Sequence, residues 1–183
     1  MATLQQTTQQ TTNAAVIKEG LEALFASDPD VFVAGDLPWH PVKHYERTRV
    51  VPGVMVVFGR PKGYRGSYRQ WEEDGVALQV VFAVAMPSDR GGAMAQKSVW
   101  CDRYGVKEYY IYEPYRKDFT AFVRSVETGY LEDVPLPASG YISPRLGVRF
   151  DLSTGDLIIY RPDGEPLGAY DGGFARRAER GAA

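Results

Sequence analysis

Two uninterrupted apolar runs dominate the hydropathy pattern of the chain. Val54 to Phe58 reads VMVVF and lies between Pro52-Gly53 and Gly59-Arg60-Pro61. Gln79 to Met86 reads QVVFAVAM and breaks at Pro87. Short continuous runs bounded by turn residues predict strands buried on both faces. After Pro87 the period changes. Ala93, Lys97, Trp100, Cys101 and Tyr104 recur at helical spacing, and Gly105 is placed to stop that helix. VKEYYIYEP predicts a third strand, and the alternating DFTAFVRS predicts its hairpin partner. YISPRLGVRFDL and DLIIYRPDGEPL predict further strands, the second turning at Asp163-Gly164. Upstream, a short helix is expected from Val16 to Phe25, ended by SDPD, and a short strand opens VFVAGDLPWH.

The order strand, strand, helix, strand, hairpins predicts an α/β fold: a mixed sheet with flanking helices and additional C-terminal hairpins. The expected organisation is one domain over residues 15–170. It is preceded by a disordered Gln/Thr-rich tail, residues 1–14, and followed by a flexible charged tail, residues 171–183.

Composition narrows the possible partners. Of 183 residues, 21 are Lys or Arg and 23 are Asp or Glu, a net charge of −2. Any nucleic-acid contact must therefore come from a local basic patch. No apolar run approaches the roughly 20 residues that cross a bilayer, so no membrane partner is expected. The N-terminal residues lack the basic and apolar regions of a secretory signal. Cys101 is the single cysteine and forms no internal disulfide, so the expected location is the cytoplasm.

Several chemistries lose their basis. His40 and His44 flank Pro41, which disfavours a helical metal pair. There is no G-x-S-x-G elbow, no P-loop and no G-x-G-x-x-G after a strand. Two features keep functional readings. The segment RPKGYRGSYR sets Arg60, Lys62, Arg65 and Arg69 among Tyr64 and Tyr68, types that contact phosphates and stack on bases. A solvated connector is the competing reading, and the acids of the following WEED weaken the local potential. Lys97 projects from the apolar side of its helix. It either covers the core edge with its stem or aims its ammonium at the strand ends.

The stretch from VVPGVMVVFGRP to VVFAVAMPSD, followed by KSVWCDRYGVKEYYIYEP, SPRLGVRFDL and LIIYRPDGEPL, resembles the Uma-two family of restriction endonucleases over roughly Asp30 to Leu167. The resemblance implies a PD-(D/E)xK nuclease fold and Mg²⁺- or Mn²⁺-dependent hydrolysis of DNA. The family's Pro-Asp-Val corresponds to Pro52-Gly53-Val54, so its metal-binding aspartate is Gly53 here. Its Glu-Val-x-Ser-Pro corresponds to Ala83-Val84-Ala85-Met86-Pro87, so its glutamate is Ala83 and its serine is Met86. Lys97 matches the family's helix lysine. Hard divalent cations need carboxylate oxygens at the two lost positions, so no bound metal is expected. Asp89 lies past Pro87 and cannot replace Ala83 on its strand, whereas Asp36, Glu72 and Glu73 are loop acids that could approach. Three readings follow. The chain is a degenerate, catalytically impaired nuclease with residual nucleic-acid binding. It is an active endonuclease using Asp36 or Glu72. Or it is a non-catalytic protein-interaction module. A homodimer is expected only by analogy.

Overall fold

The computed structural model describes residues 4–167, except 46, 88 and 90. Helix α1 (Leu4–Leu24) leads into β1 (Val31–Gly35) and the two-residue β2 (Trp39–His40). Strands β3 (Val54–Phe58), β4 (Tyr68–Arg69) and β5 (Val80–Val84) follow. Helix α2 (Gly91–Arg103) then connects β5 to β6 (Glu108–Glu113). The remaining strands are β7 (Asp118–Arg124), β8 (Leu131–Val134), β9 (Tyr141–Ile142), β10 (Arg149–Asp151) and β11 (Ile158–Tyr160). The central sheet has the order β1-β3-β5-β6-β7-β8. Only its β5–β6 pair is parallel, and α2 is the crossover that such a pair requires.

The continuous apolar runs are explained by burial on both faces. Val54, Val56, Val80, Phe82 and Val84 point to a cluster holding Ala14, Ile17 and Leu21 of α1. Met55, Val57, Val81 and Ala83 point to the opposite cluster, which holds Cys101 of α2 and Val106. Alternation of period two is present, but neither face is wet, so it leaves no polar trace in the sequence. α2 ends as expected. Gly105 has φ +87, the Val106 amide donates to the Cys101 carbonyl at 3.0 Å, and the Gly105 amide donates to Asp102 at 3.4 Å.

The expected β6–β7 hairpin and C-terminal strands are present. β9, β10 and β11 form a separate antiparallel sheet that closes over the α1 side of the central sheet. Phe150 of β10 fills that junction, its ring 4.7 Å from those of both Tyr110 and Phe119. A buried carboxylate anchors the same junction. Glu108 is 1 % exposed and accepts hydrogen bonds from the Tyr110 hydroxyl at 2.8 Å, the Ser143 hydroxyl at 2.5 Å and the Arg145 amide at 2.9 Å. Burial, followed by the adjacent Glu108 charge, pushes the Tyr110 hydroxyl above its ordinary range, so it remains a donor.

Two expectations change. The first helix starts at Leu4 rather than Val16, so residues 4–14, expected to be a disordered tail, are helical. Ala14, Ile17 and Leu21 dock the helix on the sheet, and elongation from a docked segment costs little once nucleation is complete. Strands β2 and β4 were not expected. They pair in parallel, Trp39 with Tyr68 and His40 with Arg69, and bury Trp39 and Tyr68 completely. The expected charged tail, residues 171–183, lies outside the described residues, as do 168–170.

Candidate functional site

The register of β3 on β5 pairs Val54 with Phe82 and Met55 with Val81. Carried one step further, it sets Gly53 opposite Ala83. On the other side, β1 pairs Gly35 with Val54, and the Asp36 amide donates to the Gly53 carbonyl at 3.2 Å. Asp36, Gly53 and Ala83 thus form a row across three neighbouring strand ends. Gly53 and Ala83, the positions that the resemblance would assign to the family's acids, are neighbours in space, and neither carries a carboxylate. A Cβ built on Gly53 would lie 3.1 Å from the Phe82 carbonyl oxygen and 3.8 Å from the Val84 nitrogen. A side chain at position 53 would thus need the β5 backbone to shift by a few tenths of an ångström. Ala83 is 5 % exposed, within the apolar cluster of Met55, Leu78 and Cys101.

Lys97 lies one helical turn before Cys101 and is half-buried. It lines a cleft of about 490 Å³ with Gln96 and Trp100 of α2 and with the segment Arg47 to Val51 that leads into Pro52-Gly53. The cleft is therefore walled by three cations, Arg47, Arg49 and Lys97. Burial pushes the Cys101 thiol up to about 12 despite the opposing pull of Lys97, which favours the protonated thiol over the thiolate.

These residues do not fit a hard divalent cation. Among the described residues, no group of three or more His, Cys, Asp and Glu is close enough to hold a metal. The loop acids are committed elsewhere or stand in solvent. Asp89 accepts the Met86 amide at 2.8 Å. Glu72 pairs with Arg69 at 3.3 Å. Asp36 is exposed, with φ +49. His40 is buried in β2 while His44 is exposed, so the two imidazoles sit in different environments.

The RPKGYRGSYR segment is largely structural. Glu73, its side chain 13 % exposed, accepts from Arg60 Nε at 2.8 Å and from Arg65 Nε at 2.5 Å. The Arg65 hydrogen bond is the leading reason that its carboxyl lies below the usual range. Arg60 also pairs with Asp74. The Arg65 guanidinium stacks 4.1 Å over the Phe32 ring. Lys62 donates to the carbonyls of Phe25 and Val31, each at 2.9 Å. Tyr68 is buried and donates to the Val76 carbonyl at 2.7 Å, so its ring offers no stacking face to a ligand. Four of the six expected nucleic-acid contacts thus hold the loop to the fold. Of the other two, Tyr64 is 97 % exposed and Arg69 is exposed.

The cations missed in the sequence are Lys43, Arg47 and Arg49. A second cleft of about 690 Å³ shares Arg47 and Thr48 with the first and adds Lys43, His44, Tyr45, Arg69, Trp71 and Glu72. The signal for it was the pair of arginines in ERTR immediately before β3. No helix among the described residues is long and apolar enough to cross a membrane.

Known proteins agree with this architecture. Among solved structures, the chain is similar to one titled as a "putative nuclease belonging to DUF820" from Anabaena variabilis ATCC 29413, with a TM-score of 0.52. The two are 13 % identical, and the likeness covers 80 % of this chain and 76 % of that one. At this identity the likeness speaks for the fold. No curated protein matches significantly. Residues 3–158 match the model of the family Uma2, described as "Putative restriction endonuclease", a span that includes residues 4–14 of α1, expected to be a tail outside the domain. The chain belongs to the Uma2 family.

Proposed function

We propose that this chain is a non-cleaving member of its nuclease family that holds nucleic-acid phosphates in the Lys97 cleft. The observation that supports the reading is the β3–β5 register, which, continued one step past Val54–Phe82, sets Gly53 beside Ala83, the two carboxylate-free positions that the resemblance would assign to the family's acids. Metal-assisted hydrolysis needs a cation to activate water and offset charge at the scissile phosphate. Among the described residues no group of carboxylates, cysteines or histidines is gathered for such a cation, so no hydrolytic step is assigned. The remaining charge favours anions, because Arg47, Arg49 and Lys97 line one cleft with no carboxylate among its described lining residues. Guanidinium forks and ammonium groups suit phosphate oxygens.

Fluorescence anisotropy with labelled DNA across a salt series tests the reading. Each phosphate contact contributes about 0.9 to the slope of log affinity against log salt. Lys97→Ala and Arg49→Ala are each expected to flatten that slope by about one contact and to weaken all sequences alike. DNA binding that is absent, or insensitive to salt, would overturn the proposal and favour a protein-interaction module.

A further inference from the structure

We infer that the larger cleft takes an unpaired nucleotide, making the ligand of this surface single-stranded nucleic acid rather than intact duplex. The inference rests on the cationic-cleft reading above and extends it along the same surface. The two clefts share Arg47 and Thr48 in their linings, so they neighbour each other, and a backbone held by Lys97 and Arg49 would reach the second past those residues. There the lining changes character. Trp71 is half-buried in the wall and Tyr45 is 66 % exposed, while Lys43, Arg47 and Arg69 supply positive charge against the single described carboxylate, Glu72. Trp71 stands edge-on to the buried ring of His40, with centroids 6.4 Å apart and planes at 73°. The indole is thereby braced within the wall.

Duplex DNA offers phosphates outside and keeps its bases stacked within, so an aromatic recessed in a cleft gains nothing from it. An unpaired base has a free π-face, and cationic grooves interleaved with aromatics bind single strands through it. The cleft volume of about 690 Å³ lies within the range that encloses small organic ligands.

The test compares a short oligo-dT, the same oligomer with abasic sites, and a duplex of matched length at fixed salt. The full chain is expected to bind oligo-dT about tenfold tighter than duplex. Trp71→Ala is expected to remove about tenfold on oligo-dT and to leave duplex within about twofold. Trp71→Phe, which keeps a stacking face and guards against misfolding, is expected to retain most of the affinity. Abasic oligomer is expected to bind like the alanine variant. Equal, salt-sensitive affinity for single strand and duplex, unmoved by Trp71→Phe or by abasic sites, would overturn the inference while leaving the cationic-cleft reading intact. No salt-sensitive binding of any of the three would overturn both.

Discussion

Glu108→Ala is expected to destabilise the protein by about 2–5 kcal/mol, the cost of leaving buried donors without an acceptor. Three groups lose their partner together: the hydroxyls of Tyr110 and Ser143 and the Arg145 amide. Two of these belong to the segment that leads into the C-terminal sheet, while Glu108 and Tyr110 lie on a central strand of the main sheet. The substitution therefore unlatches one sheet from the other. Glu108→Gln keeps the shape and one carbonyl acceptor and is expected to cost less than half as much. Urea unfolding followed by circular dichroism gives both values. Hydrogen exchange should quicken first in residues 141–151, which depend on that latch. A loss below about 0.5 kcal/mol for the alanine variant would show that water replaces the carboxylate at no cost, contrary to its burial.

Ala83→Glu is expected to cost about 3–5 kcal/mol at neutral pH, because it places an uncompensated carboxylate among Met55, Leu78 and Cys101. The sign of its pH dependence follows from burial. A buried carboxyl has a folded-state pKa above its unfolded value of about 4.3. The folded state then binds more protons than the unfolded state, and stability falls as pH rises above that value. Urea midpoints at about pH 4.5 and pH 8 should differ clearly for this variant and little for the parent between the same limits. A variant that loses no stability at pH 8 would mean that Ala83 faces water or a cation, against the packing seen. Placing one acid at position 83 is therefore not expected to create a metal site. Gly53→Asp faces its own obstacle, since a Cβ there meets the Phe82 carbonyl at 3.1 Å. At both positions the scaffold leaves little room for a longer side chain.

The parts legible in the sequence were those set by local pattern. VMVVF and QVVFAVAM announced buried strands because both of their faces are covered. Gly105 announced the end of α2 because few other residues take its backbone angle without strain. The family resemblance supplied Gly53 and Ala83 as the altered positions, but their adjacency depends on the antiparallel register of β3 and β5, which neither strand encodes alone. The loop 60–69 misled for a similar reason. Its arginines look free in a linear reading, whereas Glu73 returns beneath Arg60 and Arg65 once the chain folds. The acids of WEED were a visible hint of neutralisation, but not of which cations they would hold. Lys43, Arg47 and Arg49 carry no motif. They become a group only because the chain passes beside α2 before entering β3. The early helix was obscured by composition, since glutamine and threonine lack the apolar period by which docked helices are recognised.

The measurement that bears most directly on this account is plasmid cleavage by the full chain, with Mg²⁺ and with Mn²⁺, alongside Lys97→Ala. The account predicts no nicked or linear product with either cation, and no difference between parent and variant. Turnover that requires Mn²⁺ or Mg²⁺ and disappears in Lys97→Ala would contradict it, by showing that carboxylates elsewhere than positions 53 and 83 assemble a working metal site around that lysine.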